Sequence, residues 1–293
     1  MTDVSTTRPR RSMLYMPASN ARALEKARAL AADALIFDLE DAVAPAAKPS
    51  ARDAAVAAVR TKAYGGRELL IRVNALDTPW AIDDVAAAAV SGADGVVLPK
   101  VNGADEIERL HALLSGAGAP AAMAIWPMME TPRAILAAAE IANATPRVAG
   151  LLIGTADLAK DLRCAHPRDR WTMQTSLQLC VLAARVHGRA VIDGVYFEVD
   201  DAAGFEASCR QGRDMGFDGK TIIHPNQIAA ANAVFAPSPE ELTHARRVIA
   251  AYEQAARDRQ GVTLLDGRLV EVLHVREAER LLTQAQAIRS EEH

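Results

Sequence analysis

Short apolar runs that alternate with longer alanine-rich stretches limit the folds open to this chain. The runs occupy residues 12–16, 34–38, 68–73, 95–99, 121–129, 148–153, 190–193 and 220–223. Each has the length and composition of a buried strand, and the stretches between them have helical character. Eight such runs predict an α/β fold of the closed TIM (β/α)8 barrel type rather than an open, doubly wound sheet.

Capping residues predict where several helices begin. Ser19 or Asn20 precedes the first helix, Ser50 precedes the second, and Thr131-Pro132 opens the fifth. Serine, threonine and asparagine accept hydrogen bonds from the free N–H groups of a first helical turn, and proline is tolerated there.

The sequence beyond the eighth strand predicts an appendage to the barrel. Residues 237–241, Pro-Ser-Pro-Glu-Glu, have the pattern of a capped start to a long helix that runs to about Arg259. A glycine-containing hairpin at 261–270 and a final helix follow. We therefore predict a catalytic barrel over 1–236 and a C-terminal helical extension, or lid, over 237–293.

Composition narrows the class of protein. Half of the 293 residues are hydrophobic and the net charge is −4, so a large core is available and a nucleic-acid partner is not expected. The 3 cysteines lack the spacing of a zinc site, which favours a reducing, cytoplasmic setting. We expect no membrane segment, and the polar, basic start of the chain predicts no secretory signal.

Charged and polar residues stand at or just after nearly every predicted strand. These residues are Glu40, Asp41, Arg72, Asn74, Lys100, Glu130, Asp157, Asp193 and His224. Singly, an acid after a strand is often a helix cap, a lysine is usually solvated, and a histidine before proline fits a turn. In a barrel, however, the carboxyl ends of the strands meet at one rim, so these side chains are expected to face a common pocket.

Within that set, three residues suggest chemistry. Glu130 and Asp157 follow adjacent strands and would satisfy Mg²⁺ together with water and substrate oxygens. Arg72 presents a planar fork suited to bidentate binding of a substrate carboxylate, and Glu40 and Asp41 could orient it. The fingerprints of dinucleotide dehydrogenases, P-loop hydrolases, zinc proteases and serine hydrolases are absent.

Several motifs, taken in order, are similar to those of the citrate lyase beta-subunit-like family of CoA-ester lyases, from about Arg11 to Leu282. They are Arg11-Ser12-Met13-Leu14-Tyr15-Met16-Pro17, Asp38-Leu39-Glu40-Asp41-Ala42-Val43 with Lys48 and Arg52, Arg72-Val73-Asn74, Leu98-Pro99-Lys100, Glu130-Thr131-Pro132, Gly154 with Asp157-Leu158, and Gly216-Phe217-Asp218-Gly219-Lys220 with Ile223-His224-Pro225.

This resemblance implies a TIM barrel with a C-terminal lid, assembled as a homotrimer or homohexamer. Glu130 and Asp157 would bind Mg²⁺, and Arg72 would bind the substrate carboxylate with support from Glu40 and Asp41. Coenzyme A, as part of the substrate, would lie across the barrel mouth, with Lys26 and the segment from Pro17 to Arg22 near its phosphates. The implied reaction splits a malyl-CoA or citramalyl-CoA type 3-hydroxyacyl-CoA into a 2-keto acid and an acyl-CoA.

Two positions depart from the lyase pattern. The resemblance places an acid/base aspartate near the C-terminus, supplied by a neighbouring subunit, and here that position is Glu271. The longer stem shifts the carboxylate, which could activate water at the thioester instead. Arg163 stands where many relatives carry glycine. Glu271 and the segment Leu76-Asp77-Thr78-Pro79-Trp80 resemble the malyl-CoA thioesterase branch, so hydrolysis to malate and CoA is the alternative.

Two further alternatives remain open at this stage. A CoA-independent aldolase on a related barrel would use the same metal and arginine on a free keto acid. A subunit active only within a larger complex would need its partners for any turnover.

Overall fold

A computed structural model of the chain describes residues 8–258 and 261–291. Within them, eight parallel strands close into a barrel in sequence order. The strands are β1 (Ser12–Pro17), β2 (Ala34–Asp38), β3 (Glu68–Arg72), β4 (Gly95–Leu98), β5 (Ala124–Met129), β6 (Gly150–Ile153), β7 (Ala190–Asp193) and β8 (Gly219–Ile222). The closing pair is β1 with β8, in which Met13 lies opposite Thr221. The predicted TIM barrel is confirmed.

Each strand is buried on both faces, which explains why the strands are continuous apolar runs. In β2, Ala34 and Ile36 belong to the cluster that fills the barrel interior, and Leu35 and Phe37 pack in the layer between strands and helices. Because side chains alternate across a strand, Asp38 continues the inward-facing series and reaches the upper end of the barrel.

Helices surround the strands. They are α1 (Ala21–Ala27), α2 (Lys48–Arg60), α3 (Ala81–Ala89), α4 (Ala104–Gly116), α5 (Pro132–Leu136), α6 (Ala138–Asn143), α7 (Thr155–Leu162), α8 (Gln174–Val186), α9 (Ala202–Met215) and α10 (Ile228–Phe235).

Two of the three predicted helix starts are confirmed. Asn20 and Thr131 cap α1 and α5 by accepting hydrogen bonds from Ala23 and Ala134, at 3.1 and 3.0 Å. The prediction for Ser50 is wrong, because α2 already begins at Lys48 after a 3₁₀ turn. The Ser50 hydroxyl donates to the Ala47 carbonyl instead.

The strand bounds differ from the predicted ones chiefly at β5 and β6. β5 begins at Ala124 rather than at residue 121, because a turn closed by Met123 N–H to Pro120 O occupies the preceding residues. β6 begins at Gly150, and Val148 forms only an isolated bridge with Ile125. Apolar composition alone does not separate a strand from the turn that leads into it.

Buried ion pairs close the amino end of the barrel, away from the rim. Arg10 forms a two-pronged pair with Glu68 at 2.6 and 3.0 Å, and its guanidinium lies 4.9 Å from the centre of the Trp126 ring. Arg11 pairs in the same way with Asp33. Every charge here has a hydrogen-bonded partner, which is the condition for burying such groups.

The described chain divides into two compact units. One is the barrel unit of Arg10–Phe235, and the other contains the residues from Ala236 onward. The second unit contains α11 (Pro239–Arg257), an antiparallel pair of β9 (Thr263–Leu265) and β10 (Arg268–Val270), and α12 (Val272–Glu291). Its own apolar cluster includes Ala245, Val248, Val270 and Ala278.

The predicted start of α11 is confirmed, since Ser238 and Glu241 form a reciprocal capping box. Its predicted end, Arg259, lies outside the described residues. No helix in the described part of the chain is both long enough and apolar enough to cross a membrane.

Candidate active site

Charged side chains converge at the carboxyl ends of β2 to β6, as the fold predicts. Asp38 and Arg72 end β2 and β3, which pair in register at these residues. Lys100 and Glu130 follow β4 and β5, and Asp157 lies in the first turn of α7. The six acids and bases of this cluster, which we call the rim cluster, are Asp38, Glu40, Arg72, Lys100, Glu130 and Asp157.

Arg72 is held by acids on the neighbouring strand. Its Nε and Nη2 donate to both oxygens of Asp38 at 2.7 and 2.6 Å. Its Nη1 lies 3.0 Å from Oε2 of Glu40. Burial alone would lower the pKa of Arg72, but the Asp38 carboxylate holds that pKa above its ordinary value. The bidentate fork of Arg72 is thus taken by Asp38, and a substrate carboxylate would meet the Nη1 end.

Tyr15 completes the surroundings of this arginine. The Arg72 guanidinium lies 4.8 Å from the centre of the Tyr15 ring, a cation–π contact, and the Tyr15 hydroxyl donates to the sulfur of Met128 at 3.7 Å. Burial raises the pKa of Tyr15, so the phenol stays protonated at neutral pH. The Tyr15 ring thus supports one face of the Arg72 guanidinium.

Asp38 and Tyr15 contact Arg72 in the candidate site, but the sequence analysis assigned neither of them a role. A charged residue that ends an otherwise apolar strand was available as a signal for Asp38, and strand alternation was available for Tyr15. Neither signal names Arg72 as the partner, because the pairing depends on strand register.

Hydrogen bonds hold the backbone segment that carries Glu40. Asp38 accepts the N–H of Glu40 at 2.8 Å, and the buried Lys48 ammonium donates to the carbonyls of Leu39 and Glu40 at 2.9 and 3.0 Å. Lys48 also donates to Asn74 at 2.6 Å. The loop after β2 is therefore held from two sides, which leaves the Glu40 side chain few alternative positions.

Glu40 has the properties of a group that exchanges a proton near neutrality. Burial raises its pKa to about 7, against the opposing effect of Arg72. Its buried Oε2 has no hydrogen-bond donor within the part of the chain that the structure describes, since the contact to Arg72 lies outside hydrogen-bond geometry. A buried acceptor without a donor is costly, and a bound substrate hydroxyl would satisfy it.

Lys100 stands among four carboxylates. Its ammonium contacts Asp157 directly and lies 3.7 Å from Glu130 and 3.9 Å from both Glu40 and Asp41. Burial alone would lower the pKa of Lys100, but the acids around it raise that pKa. The lysine is charged, and it is the cation closest to the predicted metal ligands.

Glu130 is almost fully buried, and its position depends on Gly154. Its Oε1 accepts the backbone N–H of Lys100 at 2.6 Å. A Cβ at Gly154 would lie 2.3 Å from Oε2 of Glu130 and 2.6 Å from its Cβ, so only glycine leaves room for this side chain. Burial raises the pKa of Glu130, against the opposing effects of the Lys100 ammonium and backbone N–H.

The donors present fit a hard divalent cation. Glu130 and Asp157 supply carboxylate oxygens, and the positive charge near both of them is the Lys100 ammonium. No group of three or more His, Cys, Asp or Glu side chains in 8–258 and 261–291 forms a complete ligand set. An oxygen-preferring ion such as Mg²⁺, which retains water and substrate ligands, matches such a site better than zinc does.

The remaining predicted site residues have different outcomes. Asp41 is 64 % exposed and faces Lys100, so the prediction that it supports Arg72 needs correction. Pro17 lies beside Asp38 at the end of β1. Lys26 is exposed in the last turn of α1, and no side-chain interaction links it to the rim cluster within the described residues. Glu271 belongs to the C-terminal unit, where its N–H donates to His274 just before α12.

Asp193 and His224, which end predicted strands seven and eight, have structural roles. Asp193 is fully buried and accepts from Lys220 at 2.8 Å and from Arg170 at 2.5 Å. His224 caps a 3₁₀ turn, with its Nδ1 accepting the N–H of Asn226. Neither side chain pairs with the rim cluster within the described residues, and the acceptor atoms named are engaged in these contacts.

A cleft of about 390 Å³ adjoins the rim cluster. Its lining includes Glu40, Lys100, Thr78 and Trp80. The segment Leu76-Asp77-Thr78-Pro79-Trp80 therefore borders the space beside the proposed catalytic acids, and Trp80 packs over the Lys48 ammonium at 5.0 Å.

Comparison with known proteins identifies the family. Residues 11–225 match the HpcH/HpaI aldolase/citrate lyase family. The chain belongs to this family. The predicted resemblance is confirmed, and the named relatives include malyl-CoA thioesterase, citrate lyase beta subunit and malyl-CoA lyase.

Three relatives are informative about this member of the HpcH/HpaI family. A (3S)-malyl-CoA thioesterase of Cereibacter sphaeroides is 51% identical over 280 residues, 96% of each chain. An L-malyl-CoA/beta-methylmalyl-CoA lyase of the same species is 33% identical over 307 residues, also 96% of each chain. The solved structure of CitE from Mycobacterium tuberculosis with magnesium, acetoacetate and coenzyme A is 30% identical, with a TM-score of 0.77 over 94% of this chain and 97% of that one.

Proposed function

We propose that this protein is a Mg²⁺-dependent (3S)-malyl-CoA thioesterase that releases malate and CoA. The observation that carries the proposal is the 51% identity to a thioesterase of that name along nearly the whole chain, joined to a rim cluster suited to a hydroxy-acid. The CitE relative was solved with magnesium and coenzyme A, which supports both the cofactor and the class of substrate.

The hydroxy-acid end of the substrate would be bound by the rim cluster. Arg72 offers Nη1 to the terminal carboxylate, and Asp38 and Tyr15 keep the guanidinium in place. Oε2 of Glu40 lies 3.0 Å from Arg72 Nη1 but accepts no hydrogen bond within the described residues, and it accepts the hydrogen of the substrate hydroxyl. Glu130 and Asp157 would hold Mg²⁺, which supplies Lewis-acid polarisation and charge stabilisation when bound.

Hydrolysis requires a base for water, and we assign that role to Glu271 of a neighbouring subunit, as the family resemblance implies. The water oxygen adds to the thioester carbon as the Glu271 carboxylate takes its proton. The C–S bond then breaks, the CoA sulfur takes a proton, and the acyl group leaves as malate. Pro17 and Lys26 are our proposed contacts for the CoA portion, and the cleft at Trp80 lies beside the reacting end.

The second candidate is carbon–carbon cleavage of the same substrate. It is favoured by the 33% identity to a malyl-CoA lyase and by the unsatisfied Glu40 oxygen, which could take the hydroxyl proton outright. Loss of that proton would break the C2–C3 bond of malyl-CoA, release glyoxylate, and leave an acetyl-CoA enolate to be protonated. Electrostatic stabilisation of the enolate would be the main demand on the site.

A product assay separates the two reactions. Purified protein is incubated with Mg²⁺ and (3S)-malyl-CoA, and the products are separated chromatographically. We expect free CoA and malate in equal amounts, without glyoxylate. Glyoxylate with acetyl-CoA would instead establish the lyase, and an absence of turnover with this substrate would reject both.

The Glu271 assignment has its own test. Because one methylene shifts the carboxylate by roughly 1 Å, Glu271→Asp should lower the rate of CoA release by about a hundredfold while KM changes little. The neighbouring His274→Ala serves as a control for damage to this segment. If Glu271→Asp hydrolyses malyl-CoA at the normal rate, another group must activate the water.

We also propose that the protein is a cytoplasmic homotrimer or homohexamer. The expectation follows from the family resemblance, and light scattering coupled to gel filtration would test the assembly. Turnover by the purified homo-oligomer alone would exclude a requirement for a larger complex.

A further inference from the structure

We propose that Lys100 is a tethered counter-ion that occupies the divalent-cation site of the metal-free protein and is displaced when the cation binds. The inference rests on the proposed metal site at Glu130 and Asp157. It adds a role for a residue of this chain that the reaction itself does not require.

The first observation is the position of the ammonium. Lys100 Nζ contacts Asp157 and lies 3.7 Å from Glu130, so one cation is within ion-pair distance of both proposed ligands. A Mg²⁺ ion bound between two carboxylates sits about 2.1 Å from their oxygens. The ammonium and the ion therefore compete for the same space and the same charge.

The second observation is that an alternative position for the ammonium already exists. Glu40 and Asp41, in the loop after β2, each lie 3.9 Å from Nζ. Carboxylates outnumber cations around the site, so an arriving divalent ion does not leave the lysine without a partner. A lysine stem with several rotatable bonds can make this move without a change in the backbone.

The third observation is the backbone of Lys100 itself. Its φ is +55°, in the left-handed region that a residue with a Cβ rarely adopts. In this conformation the N–H of Lys100 donates to Glu130 while its side chain reaches Asp157. Strain of this kind is characteristic of functional sites. One residue thus contacts both proposed metal ligands, one through its backbone and the other through its ammonium.

Lys160 provides a natural comparison. It also pairs with Asp157, at 3.9 Å, but it is 76 % exposed and lies one turn along α7. Its charge acts on the same carboxylate through solvent, without a contact to Glu130. A general charge effect should appear at both lysines, and displacement should appear only at Lys100.

The test measures Mn²⁺ binding without substrate, by electron paramagnetic resonance of the free ion. Four proteins are compared: the native chain, Lys100→Met, Lys100→Arg and Lys160→Met. Removal of the competing ammonium should tighten the Mn²⁺ Kd by about tenfold in Lys100→Met. Lys100→Arg should stay near the native value, and Lys160→Met should change it by less than about twofold.

Thermal unfolding provides a second readout. In EDTA, Lys100→Met should melt at a lower temperature than the native protein, because its carboxylates lose their counter-ion. Saturating Mn²⁺ should then raise its melting temperature by more than it raises that of the native protein.

An unchanged or weaker Mn²⁺ affinity in Lys100→Met would overturn the proposal, as would an equal gain in Lys160→Met. Absence of Mn²⁺ binding by all four proteins would also overturn it. That result is distinguishable from failure of the proposed function, which the malyl-CoA assay reports separately.

Discussion

At the residue scale, two aspartates three positions apart have opposite surroundings. Asp38 is buried and binds Arg72 through both oxygens, and it also accepts the N–H of Glu40. Asp41 is mostly exposed and lies 3.9 Å from Lys100. The first therefore holds Arg72 in place, and the second offers Lys100 a more exposed and more strongly screened partner.

This contrast predicts the outcome of a pair of substitutions. Asp38→Asn should lower kcat/KM for (3S)-malyl-CoA by about a hundredfold, because Arg72 loses its bidentate partner and its alignment. Asp41→Asn, the matched control, should lower it by less than about threefold. Steady-state release of CoA is the measurement. Equal losses in the two variants would contradict the structural distinction between them.

At the scale of elements, α7 positions both proposed metal ligands. It begins after Gly154, against which Glu130 packs, and it carries Asp157 in its first turn. It ends at Arg163, whose φ of +55° is left-handed. Glycine would adopt this conformation without a steric cost.

The start of α7 should not tolerate a methyl group. We expect Gly154→Ala to push the Glu130 side chain out of place and to weaken Mn²⁺ binding by about tenfold or more. Gly261→Ala is a suitable control, because a Cβ there meets no atom within 4 Å. Retention of the native Mn²⁺ Kd in Gly154→Ala would indicate that Glu130 does not ligate the ion.

The end of α7 should be improved by glycine. Arg163 is exposed, so its loss removes little packing, and Arg163→Gly relieves the left-handed strain. We expect the free energy of unfolding to rise by about 0.5–1 kcal/mol. Urea unfolding followed by circular dichroism would measure it. A decrease would mean that the Arg163 side chain makes a stabilising contact.

At the scale of the whole barrel, a buried charge cluster joins its last strands to a distant loop. Asp193 of β7 accepts from Lys220 of β8 and from Arg170, which follows α7, and Arg170 also donates to Gln211 of α9. Burial alone would raise the pKa of Asp193, but Lys220 and Arg170 hold that pKa below its ordinary value. The cluster therefore depends on an ionised aspartate.

Neutralising this aspartate should destabilise the barrel. Asp193→Asn leaves two buried cations without their anion, and we expect a loss of about 3–5 kcal/mol. Asp214→Asn, at an exposed position of α9, should change stability by less than about 0.5 kcal/mol. Chemical unfolding of both variants beside the native protein would test this. A loss below 1 kcal/mol in Asp193→Asn would exclude a structural dependence on this charge.

The same cluster predicts the sign of an acid effect. Asp193 binds a proton less readily when folded than when unfolded, so its contribution is fully present above the ordinary aspartate pKa of about 4. That contribution should be lost as the pH falls through the lower folded-state pKa. The stability difference between the native protein and Asp193→Asn should accordingly narrow below pH 4.

Much of the fold could be predicted because strand burial leaves a direct trace in the sequence. The eight apolar runs correspond to the eight strands, and the caps at Asn20, Thr131 and Ser238 mark real helix starts. The prediction for Ser50 was wrong because a 3₁₀ turn at Pro45–Ala47 leads directly into α2. The helix therefore starts at Lys48, two residues before the predicted cap. The division into a catalytic barrel over 1–236 and a lid over 237–293 stays a prediction.

The residue types of the candidate site could also be predicted, but their partners could not. Polar residues stand at or after the predicted strands, and a barrel brings the ends of its strands to one rim. This placement is enough to select Glu40, Arg72, Lys100, Glu130 and Asp157. Pairing of Arg72 with Asp38 rather than Asp41 depends on the register of β2 against β3. A one-residue shift in register would turn Asp38 away from the barrel interior.

The sequence by itself determined the barrel, the family and the set of charged groups at the rim, because periodic burial and motif order are local properties of the chain. Only the tertiary structure decided that Asp38 holds Arg72, that Gly154 makes room for Glu130, and that Lys100 stands where a cation would bind. These are distances between residues far apart in sequence, and they are fixed by strand register and packing rather than by composition.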